Sequence, residues 1–174
     1  MSRVRLLDRA AAPPLAAAWY RADGTASPLT RSLATAPDVM ETLMPFLGQI
    51  MGESAVDLAT KELVTLRVSQ LNGCRYCLAT HTPAALEAGV PPAHVDAVCG
   101  TAPLAGLPPR ERAILAWVDQ VIADAAGVTD ELAAATIDHV RDDELVELTV
   151  LAGTIAMLNA YCTAFDIPPP EAAP

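Results

Sequence analysis

Glu62-Leu-Val-Thr-Leu-Arg-Val-Ser69-Gln-Leu-Asn72-Gly-Cys74-Arg-Tyr76-Cys77-Leu-Ala-Thr-His81 is the densest group of reactive side chains in the chain. Leu58, Leu63, Leu66 and Val68 recur at helical spacing, with Lys61, Glu62, Arg67 and Gln70 between them. That period predicts an amphipathic helix over 57–71. Asn72-Gly73 breaks the pattern, because both residues leave helical dihedrals cheaply. A second helix is expected from there to Glu87, with Gly89 as its stop and Asn72 as its cap. Cys74 then falls in the first turn, Cys77 one turn on and His81 a further turn along the same face.

The start of a helix presents unpaired N–H groups and partial positive charge, which favour a thiolate. Thiolates are the reactive form of cysteine, and Cys-x-x-Cys at a helix start lowers thiol pKa values. His81 is placed to take a proton from a thiol. Glu62 reaches the same site if the two helices pack antiparallel. The simplest chemistry is a dithiol–disulfide cycle. A zinc site is the sharper rival, with Cys74, Cys77 and His81 as ligands and Glu62 as a fourth. Against it, the chain lacks the second Cys/His pair of structural zinc sites. Leu78, not His, follows Cys77, which excludes c-type haem attachment.

Composition bounds the rest. One domain is expected for 174 residues. The chain is 52% apolar but only 4% aromatic, as in a helical fold packed through small side chains. A net charge of −10 and a pI near 4.5 argue against phosphate neutralisation on nucleic acid and against anionic membranes. Pro13-Pro14 and Trp19-Tyr20-Arg21 interrupt any signal-like run at the start. The longest apolar segment, Leu145 to Tyr161, carries Glu147, Thr149, Thr154 and Asn159, and is too short and polar for a membrane span. The expected location is cytoplasmic, where Cys-x-x-Cys is catalytic or metal-binding more often than structural.

Along the chain, residues 1–35 read as an irregular arm, with Trp19-Tyr20 as its anchor. Residues 36–166 read as a helical domain and 167–174 as a flexible Pro-rich tail. A helix begins near Pro37, and Pro45 is expected to kink or split it. Short and long helices follow at 92–98, 109–126 and 130–140, the last capped by Thr129. Asp142 or Asp143 caps a final helix running to Phe165. The fold class is all-α, with roughly six to eight helices. The final helix is apolar on more than one face, which predicts burial by a partner subunit. Cys99 and Cys162 read as buried structural thiols, with Cys162 beside Tyr161 a candidate to line an interface. His94 and His139 read as surface or capping residues.

Glu62, Ser69, Asn72, Cys74, Tyr76, Cys77 and His81 resemble, in type and spacing, the core motif of the AhpD-like alkylhydroperoxidase branch of the carboxymuconolactone decarboxylase superfamily. The likeness is specific from Thr60 to Gly89 and compatible over Ala36 to Phe165. It implies a compact AhpD-like helical domain with the Cys-x-x-Cys at the start of a central helix. It also implies a hydroperoxide substrate, Cys77 as the attacking thiol and Cys74 as the resolving one. Glu62 and His81 would form the proton relay, with Ser69, Asn72 and Tyr76 in support. Some members have histidine where this chain has Tyr76, and a phenol is a poor base near neutral pH. No cofactor or metal is expected. The partners implied are a dithiol reductant or disulfide-reducing protein, and copies of the chain in a trimer or hexamer. Two alternatives remain open: a decarboxylase-like lyase or isomerase using Glu62 and His81, and a redox-responsive oligomer without turnover.

Overall fold

Proline opens five of the nine α-helices found among the described residues, 1–170 of a computed structural model. Its fixed φ suits a helical first turn, and its missing N–H is no loss where that group has no intrahelical partner. The five are α1 (Pro14–Ala17), α2 (Pro28–Leu33), α3 (Pro37–Met51), α6 (Pro92–Val98) and α7 (Pro109–Asp124). The others are α4 (Leu58–Leu71), α5 (Arg75–Glu87), α8 (Asp130–Ile137) and α9 (Asp142–Ala164). The described residues contain no strand. Residues 171–174, the end of the expected flexible tail, lie outside the described part.

Helix α4 lies at the centre, packed by α5, α6, α7 and α9. On one side Val64 and Val68 meet Ile114, Val118, Leu148, Leu151 and Ile155. On the other, Leu63 and Leu66 meet Ala85, Val95, Val98 and Leu115. A helix enclosed on two faces has no broad polar face to keep, and this corrects the simple amphipathic reading. Lys61, counted among the polar positions, is only 1% exposed. Its ammonium donates to the carbonyls of Ile50 (2.9 Å) and Gly52 and to Ser54 Oγ (2.9 Å), and it pairs with Glu147 on α9.

Three other expectations change. Pro45 sits inside α3, which runs through it unbroken. The N–H it removes would have met a carbonyl one turn earlier on an exposed side of the helix. The first 35 residues are less irregular than expected: they hold α1 and α2, and their apolar groups are built into the body. Ala16, Tyr20, Leu33 and Ala34 form a core with Met40, and Tyr20 donates to the Leu7 carbonyl at 2.7 Å. At the other end, α9 is preceded by Arg141 rather than capped by an aspartate. Glu144 accepts the Arg141 N–H at 2.9 Å, and Asp142 and Asp143 occupy the first turn, where the helix dipole favours anions.

Helix α9 is long and apolar enough to cross a membrane by length and composition alone. Here it is packed against α3, α4, α5 and α7. Its outer face still exposes Val146, Val150 and Met157.

Candidate active site

The turn between α4 and α5 builds the site. Asn72 ends α4 in helical dihedrals, Gly73 turns the chain at φ +64°, and Cys74 becomes the N-cap of α5. This corrects two expectations. Cys74 precedes the first turn rather than lying in it, and it, not Asn72, caps the second helix. Its Sγ accepts the Cys77 N–H at 3.3 Å, so the sulphur occupies the place of a capping oxygen. Its own N–H is held by the Ser69 carbonyl at 2.9 Å.

Asn72 and Ser69 find their role through a residue from the far end of the chain. Asn159 on α9 accepts from Asn72 Nδ2 at 3.1 Å and donates to Ser69 Oγ at 3.1 Å. One turn on from Asn159, α9 also delivers Cys162. The sulphurs of Cys74, Cys77 and Cys162 all lie within 4.8 Å of one another. The three residues are 1%, 5% and 2% exposed. Val4, Leu6, Leu29, Tyr161, Phe165 and Ile167 wall the cluster, so the N-terminal arm covers one side of it. Cys162 is buried as expected, but it packs against the motif thiols rather than apart from them.

Among the three buried thiols, the surroundings favour the charged form most at Cys74. Donation from the Cys162 and Cys77 thiols, the Cys77 N–H and Asn159 outweighs burial and holds Cys74 down at about 3. The Cys162 thiol favours charge on Cys77 as well. Cys77's own donation to Cys74, burial and the Cys74 charge prevail, and push it up to about 11. Cys162 is driven up by its donation to both neighbours and by burial.

The carboxylate–histidine pair stands beside this cluster. Helices α4 and α5 pack as a hairpin that brings Glu62 Oε2 to 2.8 Å from His81 Nδ1. Both side chains are largely shielded, at 15% and 20% exposure. Among the hydrogen bonds of the described residues, none joins His81 to a cysteine. Tyr76 is buried beside Ser27 and Leu29 of the arm, and burial raises its phenol above the ordinary value, which removes it as a base.

The remaining candidates fall elsewhere. Cys99 lies outside the thiol cluster, on the α6 side of the core. His94, expected at the surface, approaches Glu111 of α7 to 2.9 Å, with both side chains half-buried and poorly aligned for a hydrogen bond. For metal chemistry, the His/Cys/Asp/Glu group close enough to share an ion is Cys74, Cys77 and Cys162, a soft donor set. Glu62 and His81 are not in it, so the sequence-derived zinc set does not assemble. Cys162 and Asn159 were missed because only the fold brings them to the motif. One signal was available: a lone Asn in an apolar helix needs a buried partner, and Cys162 lies on the same helical face three residues later.

Residues 37–120 match the sequence model of the carboxymuconolactone decarboxylase family. The chain is 26% identical over 130 residues to the uncharacterized protein YdfG of Bacillus subtilis strain 168, covering 74% of this chain and 88% of that one. An uncharacterized peroxidase-related protein from Ralstonia eutropha JMP134, described as an alkylhydroperoxidase AhpD core, superposes with a TM-score of 0.88 at 20% identity. That match covers 98% of this chain and 93% of the other. An uncharacterized peroxidase-related protein from Silicibacter sp. TM1040 gives 0.75 at 20% identity, over 81% and 75% of the two chains. At such identities the structural likeness establishes the fold alone.

Proposed function

We propose that this chain, a member of the AhpD/carboxymuconolactone decarboxylase superfamily, is a thiol-dependent hydroperoxide reductase. The observation that carries the reading is the buried Cys74–Cys77 dithiol at the start of α5, one helical turn before a histidine held by a carboxylate. Decarboxylation needs no dithiol; a peroxide-reducing cycle that closes an internal disulfide does.

In the proposed cycle Cys77 gives its proton to His81 and the resulting thiolate attacks one oxygen of a hydroperoxide. The O–O bond breaks, Cys77 becomes a sulfenic acid, and the alkoxide leaves as an alcohol after taking a proton. His81, oriented by Glu62, moves that proton. Cys74 then displaces hydroxide from the Cys77 sulphur, releasing water and closing the Cys74–Cys77 disulfide. An external dithiol, or a protein carrying one, returns both thiols by exchange.

The electrostatics favour a second assignment within the same cycle. Hydrogen bonds from Cys162 and Cys77 favour charge on Cys74, and the alternative that follows has Cys74 attacking and Cys77 resolving. Trapping sulfenic acid in Cys74→Ser/Cys162→Ser and Cys77→Ser/Cys162→Ser separates the two, because only the variant that keeps the attacking thiol accumulates it. A lyase or isomerase reading draws on the Glu62–His81 pair, which bonds to no cysteine. It requires turnover of a lactone by the Cys74→Ser/Cys77→Ser double variant.

The deciding experiment titrates thiols of the reduced protein before and after one equivalent of an organic hydroperoxide, mapping disulfides by peptide mass. Rapid loss of two thiols, with the first disulfide between Cys74 and Cys77, is the expected result. Four intact thiols sink the reading. We also read the exposed Val146, Val150 and Met157 face as an interface between copies of this chain. Met157→Glu should then lower the solution mass measured by light scattering.

A further inference from the structure

We propose that Cys162 is a third redox thiol, which moves the disulfide from Cys74–Cys77 to Cys74–Cys162 and presents it to the reductant. The inference rests on the dithiol cycle proposed above and assigns Cys162 a step within it.

Three observations carry it. First, the Cys162 sulphur lies within 4.8 Å of both motif sulphurs, so a side-chain rotation separates it from bonding distance to either. Second, access is uneven. A small cleft at the α4–α5 turn is lined by Gly73, Cys74, Arg75, Cys162, Thr163 and Asp166, and Cys77 is not part of its wall. All three residues are buried, at 1%, 5% and 2% exposure for Cys74, Cys77 and Cys162, so lining this cleft is what sets Cys74 and Cys162 apart from Cys77. Third, the cleft has a low wall. Nothing lies within 4 Å of the point where a side chain on Gly73 would start, and Arg75 at the rim is 81% exposed. The two cysteines that line this cleft, and that a partner's thiol entering there would meet, are Cys74 and Cys162.

The step balances without an added reagent. The Cys162 thiolate attacks Cys74 Sγ, the Cys74–Cys162 bond forms and the Cys74–Cys77 bond breaks. Cys77 leaves as a thiolate and takes the proton that Cys162 gave up. One disulfide replaces another, so no atom is oxidised or reduced overall. The proton stays inside an apolar pocket, which matters because a second buried charge there would be costly. Reduction of Cys74–Cys162 from the cleft by an external dithiol completes the cycle. Cys77 is meanwhile a free thiol again, ready for the next peroxide before the reductant arrives.

The test uses the full chain. Reduced protein receives one equivalent of cumene hydroperoxide and is quenched with acid and an alkylating agent at increasing delays, with disulfides mapped by mass. Cys74–Cys77 should appear first, and Cys74–Cys162 should grow as it decays. In Cys162→Ser and Cys162→Ala the second species is lost, and reduction by a thioredoxin-type dithiol slows by roughly tenfold or more. Cys99→Ser should follow the wild type. Cys162 remaining a free thiol at every delay overturns the relay, as does wild-type reduction speed in both Cys162 variants. A parallel sample oxidised with diamide makes the Cys74–Cys77 bond without peroxide. Migration there but no oxidation by hydroperoxide leaves the relay standing and sinks the peroxidase reading. A Cys74–Cys77 bond that forms with peroxide and never migrates does the reverse.

Discussion

Two buried polar centres sit at opposite ends of α4, and their chemistry differs. At the N-terminal end, Lys61 meets two carbonyls, a hydroxyl and the Glu147 carboxylate. Every proton of the ammonium has an acceptor and its charge has a counter-charge. Eight residues on, roughly 12 Å along the axis, Ser69 and Asn159 border three sulphurs whose donors are the Cys77 N–H, the Asn159 amide and one another. The first centre is saturated, so it holds the α3–α4 loop to α9 and has nothing left to give a ligand. The second is unsaturated, and its charge is kept by a helix end, an amide and two neighbouring thiols. Burial of polar groups marks both centres; unsatisfied bonding capacity marks the reactive one.

The largest effect that would break this contrast is on stability. Lys61→Ala should cost about 3–5 kcal/mol, because it leaves Glu147 and two carbonyls without their donor. Chemical denaturation measures it, and the alkylation rate of Cys74 should not change. A loss under about 1 kcal/mol would mean that water replaces the ammonium and that the centre is not structural.

His81→Gln should do the opposite. We expect turnover with hydroperoxide to fall by about 100-fold with little change in denaturation midpoint. Glu62→Gln should give a smaller loss, since it removes the group that orients the ring. Equal stability losses in Lys61→Ala and His81→Gln would erase the distinction between the two centres.

Asn159→Leu sharpens the comparison from the thiol side. It should cost about 1–3 kcal/mol through orphaned Ser69 and Asn72 groups. It should also weaken the thiolate. In the wild type Cys74 is held near 3, so it is fully ionised well above that value. Its alkylation rate should stay flat from about pH 8 to about pH 5, where an ordinary thiol loses tenfold per unit. Losing a donor to the charged form raises the pKa, so in Asn159→Leu the rate should begin to fall at a higher pH. An unchanged profile would remove Asn159 from the electrostatics of the cluster.

The smallest effect is at the start of α4. Asp57 accepts the Thr60 N–H at 2.8 Å, and Asp57→Ala should cost about 1 kcal/mol. The thiol chemistry at the other end of the helix should be untouched. A change in peroxide turnover would show that the two ends are coupled.

The hairpin of α4 and α5 was legible because its information is local. Helical period, Asn-Gly at the break and Gly89 at the stop lie within about thirty residues, and the Glu62–His81 approach follows from two antiparallel helices joined by a short turn. Lys61 was misread for an equally physical reason. Period identifies one apolar stripe, and a helix enclosed on two sides buries residues off that stripe. The arm was misread because Pro and Gly mark breaks in a chain without revealing what the segments between them pack against.

The sequence by itself determined the all-helical class, the helix boundaries near prolines and glycines, and the pair of cysteines one turn apart before a histidine. These follow from backbone preferences and spacings of three or four residues. Only the tertiary structure decided that Cys162 and Asn159 join the motif residues and that the N-terminal arm roofs the thiol cluster. Those facts depend on contacts between residues more than forty positions apart. Such contacts are set by how α9 packs across the α4–α5 hairpin, and no local period encodes that placement.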